Sequence, residues 1–415
     1  MSAGTTSRAS TPAGGRSALR RLVPFDTDEF ARDHWAHTPV VARAADLPGD
    51  LPELFGEASV DELVSRRGLR TPFLRVAQDG RTLGDREFTQ GGGVGASVAD
   101  QVSDDKLLAL FSGGASIVLQ GLHRTWGPLV DFTQQLAEEL GHPVQANAYV
   151  TPSQSTGFSD HYDVHDVFVL QMAGEKRWRI RPPVRVAPLR NEAWTDHRGD
   201  VEEAASRAPE HEFTLSAGDV LYLPRGWIHS ATALGGVSTH VTLGVHVWTR
   251  RHVADELVAM ALTEVSRDER VRASLAVSST GFDHEVIAPD VELVRAALMR
   301  ALGAIDTADV VDALEARARP AQRPSPIGPL AQLAAAGAVR PDTLLVLRPH
   351  VSARLVPSGH GPATLRSRLD DFAVEAHDVG TFVALVDGGV LRADMVGLDL
   401  ARRLMLAGLL VVAPD

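Results

Sequence analysis

Apolar positions recur along this chain with two different periods. Between Pro128 and Gly141, Leu129, Phe132, Leu136 and Leu140 stand three or four apart, the spacing of one helix face, between residue types that open and close helices. Ser103 followed by Asp104 and Asp105 starts a second helix that runs to Phe111 and stops at Gly113-Gly114; the run SIVLQGL after it is strand-like. Asp28 to Trp35 predicts a short amphipathic helix and Thr38 to Val41 a strand entry, whereas residues 42 to 95 are broken by Gly and Pro and give few boundaries.

From Val144 to Val247 the pattern changes to period two. QANAYVTP, HYDVHDVFVLQM, KRWRIRP, HEFTLSAGDVLYLP, GWIHSATAL and VSTHVTLGVHVW are strand-like and separated by Gly, Pro, Ser and Asp turns, a texture that predicts a sandwich or barrel. Beyond Trp248 the helical period returns: Val253 to Val265, then Val291, Val294, Leu298 and Leu302 between Asp290 and Gly303, then a third helix to about Arg319. These apolar stripes are broad enough to pack on each other or on a second subunit. Pro320, Pro324, Pro326 and Pro329 mark a linker over 320–329. Residues 330–415 alternate strand-like pieces (TLLVLRP, ARLVPS, GTFVALVDGG) with helices at Val390 to Val396 and Leu398 to Ala407, and end in the strand GLLVVAP, an order that suits a winged helix. The predicted class is α+β, with a leader at 1–20, a principal domain at 21–250, a helical region at 251–319, the linker, and the C-terminal domain.

Composition narrows the chemistry. With 415 residues and 44% hydrophobic content the chain can build two or three cores. Its longest apolar runs fall far short of the roughly 20 residues of a membrane-spanning helix, and MSAGTTSRASTPAGGRS has no apolar signal core, which predicts a disordered leader on a cytoplasmic protein. The absence of cysteine excludes disulfides and thiolate metal sites, so any metal must sit on His, Asp or Glu. A net charge of −12 argues against direct nucleic-acid binding, and from residue 325 onward eight Arg face nine acidic residues, so the C-terminal domain reads as an interaction or structural module. Only Lys106 and Lys176 are lysines among 41 basic residues, which makes each a place where Arg was not used.

The HxD pair inside the strand region is the candidate metal site. Alternation along a strand would put His161, Asp163 and His165 on one face and Asp160, Tyr162 and Asp166 on the other. Positions four apart are roughly 13 Å apart along a strand, too far for His161 and His165 to share an ion, so a third ligand must come from another strand. His229, after the turn Pro224-Arg225-Gly226, is the best placed. Two His and one carboxylate suit non-haem iron(II) and also zinc; the helical H-E-x-x-H of zinc proteases is absent.

The segment NAYVTPSQSTGFSDHYDVHDVFVLQMAGEKRWRI, with GDVLYLPRGWIHSA and STHVTL, resembles the JmjC-type ribosomal oxygenases of the cupin superfamily, closely over about residues 140 to 247. The resemblance implies a double-stranded β-helix, the jelly-roll barrel of cupins, followed by a helical dimerisation region and a winged-helix domain. It implies iron(II) on His161, Asp163 and His229, with 2-oxoglutarate as co-substrate. Its far carboxylate would fall on Lys176, and Asn147, Tyr149 and His240 match further pocket positions. The activity so implied is hydroxylation of a His or Arg side chain in a ribosomal protein by a homodimer. A JmjC hydroxylase or demethylase acting on another protein or a peptide, a non-oxygenase metal-binding cupin, and a catalytically dead interaction barrel are the alternatives. By spacing His165 has no ligand role, and Trp178 and Trp227 read as core.

Overall fold

The computed structural model describes residues 17–414 apart from 79, 154, 156–158, 278–281 and 358–362. Most of the expected leader lies outside the described residues, but its last part does not behave as one. Ala18 and Leu19 are buried, as are Leu22 and Val23 just after it, and the Glu139 carboxylate accepts from Ser17 Oγ, Ala18 N and Leu19 N at 2.8–2.9 Å. Four apolar side chains within six residues are enough to join the core, and the polar composition before them hid this.

The helices that precede or flank the sheet include α1 (Thr27–Asp33), α2 (Glu57–Arg66), α3 (Asp104–Ser112) and α4 (Gly127–Leu140). Ser103 caps α3 by accepting from Lys106 N, and Gly141 ends α4 in the left-handed region, as their sequence positions predict. The sheet is antiparallel throughout and contains β1 (Val40–Ala42), β2 (Leu74–Gln78), β3 (Arg81–Thr82), β4 (Ser116–Leu119), β5 (Val144–Thr151), β6 (Asp166–Arg181), β7 (His211–Leu215), β8 (Val220–Leu223) and β9 (Ile228–Val245). Its order is β1-β8-β6-β9-β5-β4-β2-β3, with β7 also paired to β6.

The long pair β6 and β9 forms the spine. Two pieces expected as separate strands merge in each, because the glycines between them make bulges and not reversals. Pairing runs from Asp166↔Val245 to Gln171↔His240, passes over Met172 to Ala173↔Thr239, and after a second slip continues from Glu175↔Leu234 to Arg181↔Ile228. Such a slip exchanges the faces of everything beyond it. Val167 and Val169 before it, and Trp178 and Ile180 after it, therefore pack in one interior cluster with Leu215, Leu221 and Leu223. Gly174, at φ +64°, permits the bulge: a Cβ there would lie 2.2 Å from Val237 O.

The main core lies on the other face of the sheet. Ala146, Ala148 and Val150 of β5 pack with Leu129, Phe132 and Leu136 of α4, each large side chain contributing about 1.5–3 kcal/mol of burial. Phe30 of α1 joins Phe168 and Tyr222 with ring centroids 4.9–5.9 Å apart. The interior face is thereby left to polar side chains along part of its length.

A second unit spans Trp248–Arg323 with Ser367–Asp370. It contains α5 (Arg250–Val265), α6 (His284–Ala304) and α7 (Thr307–Ala318) around a small core of Ala261, Val265, Ala297 and Ala301. Helix α6 begins six residues before the Asp290 expected to cap it; Asp283 is the cap, accepting from Glu285 N, and Pro289 lies inside the helix. The C-terminal residues build two three-stranded antiparallel sheets, Leu391–Arg392 with Leu344–Leu347 and Leu410–Val412, and Arg354–Val356 with Ala363–Arg366 and Asp371–Val374. GTFVALVDGG, expected as a strand, overlaps the helix Val379–Val386: Phe382 and Leu385, three apart, are buried while Val383 is exposed. Pro329, placed in the linker, opens the helix Pro329–Ala338.

Candidate metal centre

The HxD segment is not a strand. His161 makes a single bridge to His229, donating its N–H to His229 O at 3.2 Å and accepting from His229 N at 2.8 Å, and β6 begins only at Asp166. The turn that follows β8 closes the loop: Gly226 N donates to Asp163 O at 3.0 Å, and buried Asp166 accepts from Tyr222 Oη at 2.6 Å and Arg225 N at 3.2 Å. Backbone hydrogen bonds thus fix all three residues before any side chain acts. The result is a tight cluster in which one ligand atom each of His161, Asp163 and His229 lies within 4.8 Å of the others.

The orientation of the rings suits a metal. His161 Nδ1 faces Ser159 O at 2.7 Å and His229 Nδ1 faces Trp227 O at 3.0 Å; a carbonyl can only accept, so each Nδ1 carries a proton and Nε2 is the ring atom left for a metal. His229 Nε2 lies 3.7 Å from Asp163 Oδ2. Burial, reinforced by His161, lowers the His229 pKa to about 4, so the ring is neutral at pH 7. Burial alone would raise the Asp163 carboxyl, but His165, His229 and His161 outweigh it and hold the group below its usual value. The neutral His229 imidazole, the His161 ring oriented in the same way and an ionised carboxylate match a divalent ion that accepts N and O donors.

Deeper in the same cavity the charge requirement reverses. Lys176 is 3% exposed, its Nζ donating to Thr151 Oγ1 and to His240 Nδ1, both at 3.2 Å, and among the described residues it has no carboxylate partner. Burial lowers its pKa to about 7. His240 lies well below the usual histidine value through burial and then Lys176, and its ring stacks on Tyr149 at 4.8 Å with 2° between planes. A buried amine without a counter-ion is costly in free energy, and an anion entering the cavity would relieve that cost.

A family model described as JmjC domain matches residues 128–253. Residues 128–253 form a JmjC domain. Among curated proteins, ribosomal oxygenase 2 of Bos taurus is 44% identical over 109 residues, covering 26% of this chain and 22% of that protein. Ribosomal oxygenase 1 of Gallus gallus is 30% identical over 225 residues (54% and 35%), and the bifunctional lysine-specific demethylase and histidyl-hydroxylase NO66 of Drosophila persimilis is 30% identical over 243 residues (57% and 32%). The chain spans about a third of the length of these last two relatives. Among solved structures, E. coli YcfD has a TM-score of 0.55 at 15% identity, covering 94% of this chain and 99% of that one. YcfD described as a ribosomal oxygenase in complex with cobalt and 2-oxoglutarate has a TM-score of 0.53 at 16% identity, with 95% and 99% covered. At such identities these two likenesses establish a shared fold. The resemblance to ribosomal oxygenases implied by the sequence motifs is borne out.

Within the JmjC domain the residues singled out by sequence divide unevenly. His161, Asp163, His229, Lys176, Tyr149 and His240 line one cavity. Asn147 shares the face of Tyr149 on β5, but its Oδ1 accepts from Gly121 N at 3.1 Å and it stands outside the cavity wall. His165 turns to Gln145, Nε2 to Nε2 at 3.2 Å, and to the His246 ring. Trp178, expected in the core, also walls the cavity: its ring lies 6.0 Å from His229 and 5.6 Å from His240, and its buried Nε1 has no hydrogen-bond partner among the described residues. Ser116, Thr151, Ser230 and Thr242 complete the polar wall and had not been singled out. Thr151 and Trp178 could have been found, each two residues beyond a predicted pocket residue on the same strand.

Proposed function

We propose that this protein is a 2-oxoglutarate- and iron(II)-dependent oxygenase that hydroxylates a His or Arg side chain of a ribosomal protein. One observation carries the reading: a metal-type triad and an uncompensated buried lysine share a single cavity, so the cavity offers a cation site and an anion site. His161, Asp163 and His229 would hold iron(II), with the Ser159 and Trp227 carbonyls orienting the two rings. Iron(II) with 2-oxoglutarate supplies oxygen activation for attack on a substrate C–H bond, the co-substrate leaving as succinate and carbon dioxide. Lys176 and Thr151 would bind the far carboxylate, with His240 and Tyr149 fixing the ammonium in place. Asn147 acts by holding the Gly121 turn. The apolar interior cluster of Val167, Val169 and Trp178 excludes water from the site.

The names of the relatives support the substrate class, and an iron-type cavity with a second, anionic requirement supports an oxygenase over a simple metal hydrolase. The groove of about 500 Å³ on α6, lined by Val291, Val294, Leu298 and Met299 among others, supports a homodimer formed through the helical unit. The order of elements after Pro329 supports a winged-helix module. The acidic net charge of the chain supports a protein-binding role for that module. No helix of the described residues is long and apolar enough to cross a membrane, and we place the protein in the cytoplasm.

The test compares ribosomal proteins from cells with and without the gene by mass spectrometry. The expected result is one protein heavier by a single oxygen, restored by the wild-type gene and not by an Asp163→Ala copy. Ribosomal proteins of identical mass in both strains would move the search to other substrates.

A further inference from the structure

A second cavity lies on the reverse face of the wall that carries the metal cavity. Ser116 of β4, Tyr149 and Thr151 of β5, and His240 of β9 face inward; their neighbours Ile117, Val150 and Thr239 face the other way, into a cleft of about 480 Å³ between α2 and α3. The cleft has an apolar body made by Val60, Leu107, Leu108 and Phe111, with Leu108 69% exposed. Glu57 and Asp61 from α2 and Asp104 and Asp105 from α3 stand around it.

Two observations point to an occupant. The first is Thr239, fully buried and lining this cleft, whose Oγ1 has no hydrogen-bond partner among the described residues. A buried hydroxyl without a partner is uncommon because it costs free energy on folding. The second is the carboxylates. First-turn placement favours Glu57, Asp104 and Asp105 singly through the helix dipole. It does not account for Asp61, one turn after Glu57, where a like charge opposes the helix. None of the four is in an ion pair among the described residues. The ammonium on this side, Lys106, is committed elsewhere, donating to Thr89 O at 2.6 Å and Arg86 O at 3.1 Å.

We infer that the cleft is an exosite for a basic segment of the protein substrate. An apolar side chain of that segment enters between α2 and α3, Arg or Lys residues flanking it meet the four carboxylates, and a polar group of the segment meets the Thr239 hydroxyl. Charge selects the occupant: an RNA-binding protein carries excess Lys and Arg, and an acidic rim around an apolar well is complementary to it. This inference rests on the protein-substrate reading above. Because the cleft lies behind the metal cavity, it acts on substrate capture and not on the chemical step.

The experiment measures binding of a fluorescein-labelled peptide, one phenylalanine with two arginines on each side, to the full chain without iron or 2-oxoglutarate. Asp61→Asn with Asp104→Asn is expected to weaken binding about tenfold, and Leu108→Ser to weaken it as well, while Asp163→Ala leaves it unchanged. Three results overturn the proposal: equal binding of a glutamate-flanked or phenylalanine-free peptide, unchanged affinity in both cleft variants, or loss of binding in Asp163→Ala, which would put the peptide at the metal cavity. Peptide binding that persists in a protein with no succinate formation would sink the oxygenase reading and leave the cleft standing. If the protein does turn over, an unchanged KM in the cleft variants would remove the exosite alone.

Discussion

The two ends of the metal cavity are built on opposite plans. At the His161, Asp163 and His229 end, backbone hydrogen bonds between the contributing segments fix the geometry, and backbone carbonyls orient the two rings beside one carboxylate. At the Lys176 end, an amine is buried against a hydroxyl and an imidazole with no carboxylate partner among the described residues. The first end is organised before a cation arrives. The second is electrostatically incomplete until an anion arrives. The difference teaches that binding at the two ends should respond differently to substitution, pH and stability, and each response can be measured.

The largest effect is expected at the organised end. Asp163→Ala and His229→Ala should each abolish iron-dependent succinate formation, with loss of more than about 100-fold, because removing one of three ligands leaves a weak site. Circular dichroism should show the fold retained, and turnover persisting in both variants would dissolve the contrast. Next, Lys176→Met should raise the 2-oxoglutarate Kd by more than about tenfold while raising the Tm of the protein without co-substrate, since it removes a buried amine without a counter-ion. A lower Tm would show that Lys176 is compensated in the free protein.

The acid–base behaviour of Lys176 sharpens the same contrast. Its pKa is about 7 in the fold against 10.5 ordinarily, so between these values the unfolded chain holds a proton that the folded chain does not. The contribution of this group to stability therefore rises with pH across that window and is smallest below about 7. Anion binding favours the protonated amine, so at pH 8 2-oxoglutarate should bind with proton uptake and weaken by up to about tenfold per pH unit above 7. Calorimetry in buffers of different ionisation enthalpy reads that uptake; none would remove Lys176 from the anion end. A smaller effect is expected at Gly174, where alanine meets Val237 O and a left-handed backbone. Gly174→Ala should cost about 1–3 kcal/mol in denaturant unfolding and weaken 2-oxoglutarate more than iron. The smallest is Trp178→Phe, which removes the unpartnered indole N–H and should change the 2-oxoglutarate KM by only a few-fold.

The helices with clean spacing and caps, α3 and α4, were legible almost to the residue, because Ser103, Pro128 and Gly141 are local signals. So was the exclusion of His165, although the reason differs: the HxD segment forms a bridge and a turn, and His165 is turned toward Gln145. Residues 17–20 read as part of the leader because composition averages over a window wider than the buried patch that begins at Ala18. GTFVALVDGG reads as strand-like in sequence, whereas the burial of Phe382 and Leu385 has a helical spacing that only the packing shows. Trp178 and Thr151 were not recognised as cavity residues, since a wall is defined only by what stands opposite it.

By itself the sequence determined the ligand chemistry. The absence of cysteine, the HxD pair, a histidine after a Pro-Arg-Gly turn and one of only two lysines restrict what can bind, because donor atoms are a property of residue type. Only the tertiary structure decided that these residues share a cavity. Simple alternation along an unbroken strand would put Lys176 on the face of Phe168 and Leu170, in the main core, and away from Val167 and Val169. The bulge passing over Met172, made possible by Gly174 and closed by the return of β9, turns it inward to meet His240. A bulge depends on how two distant strands pair, and no local periodicity records it.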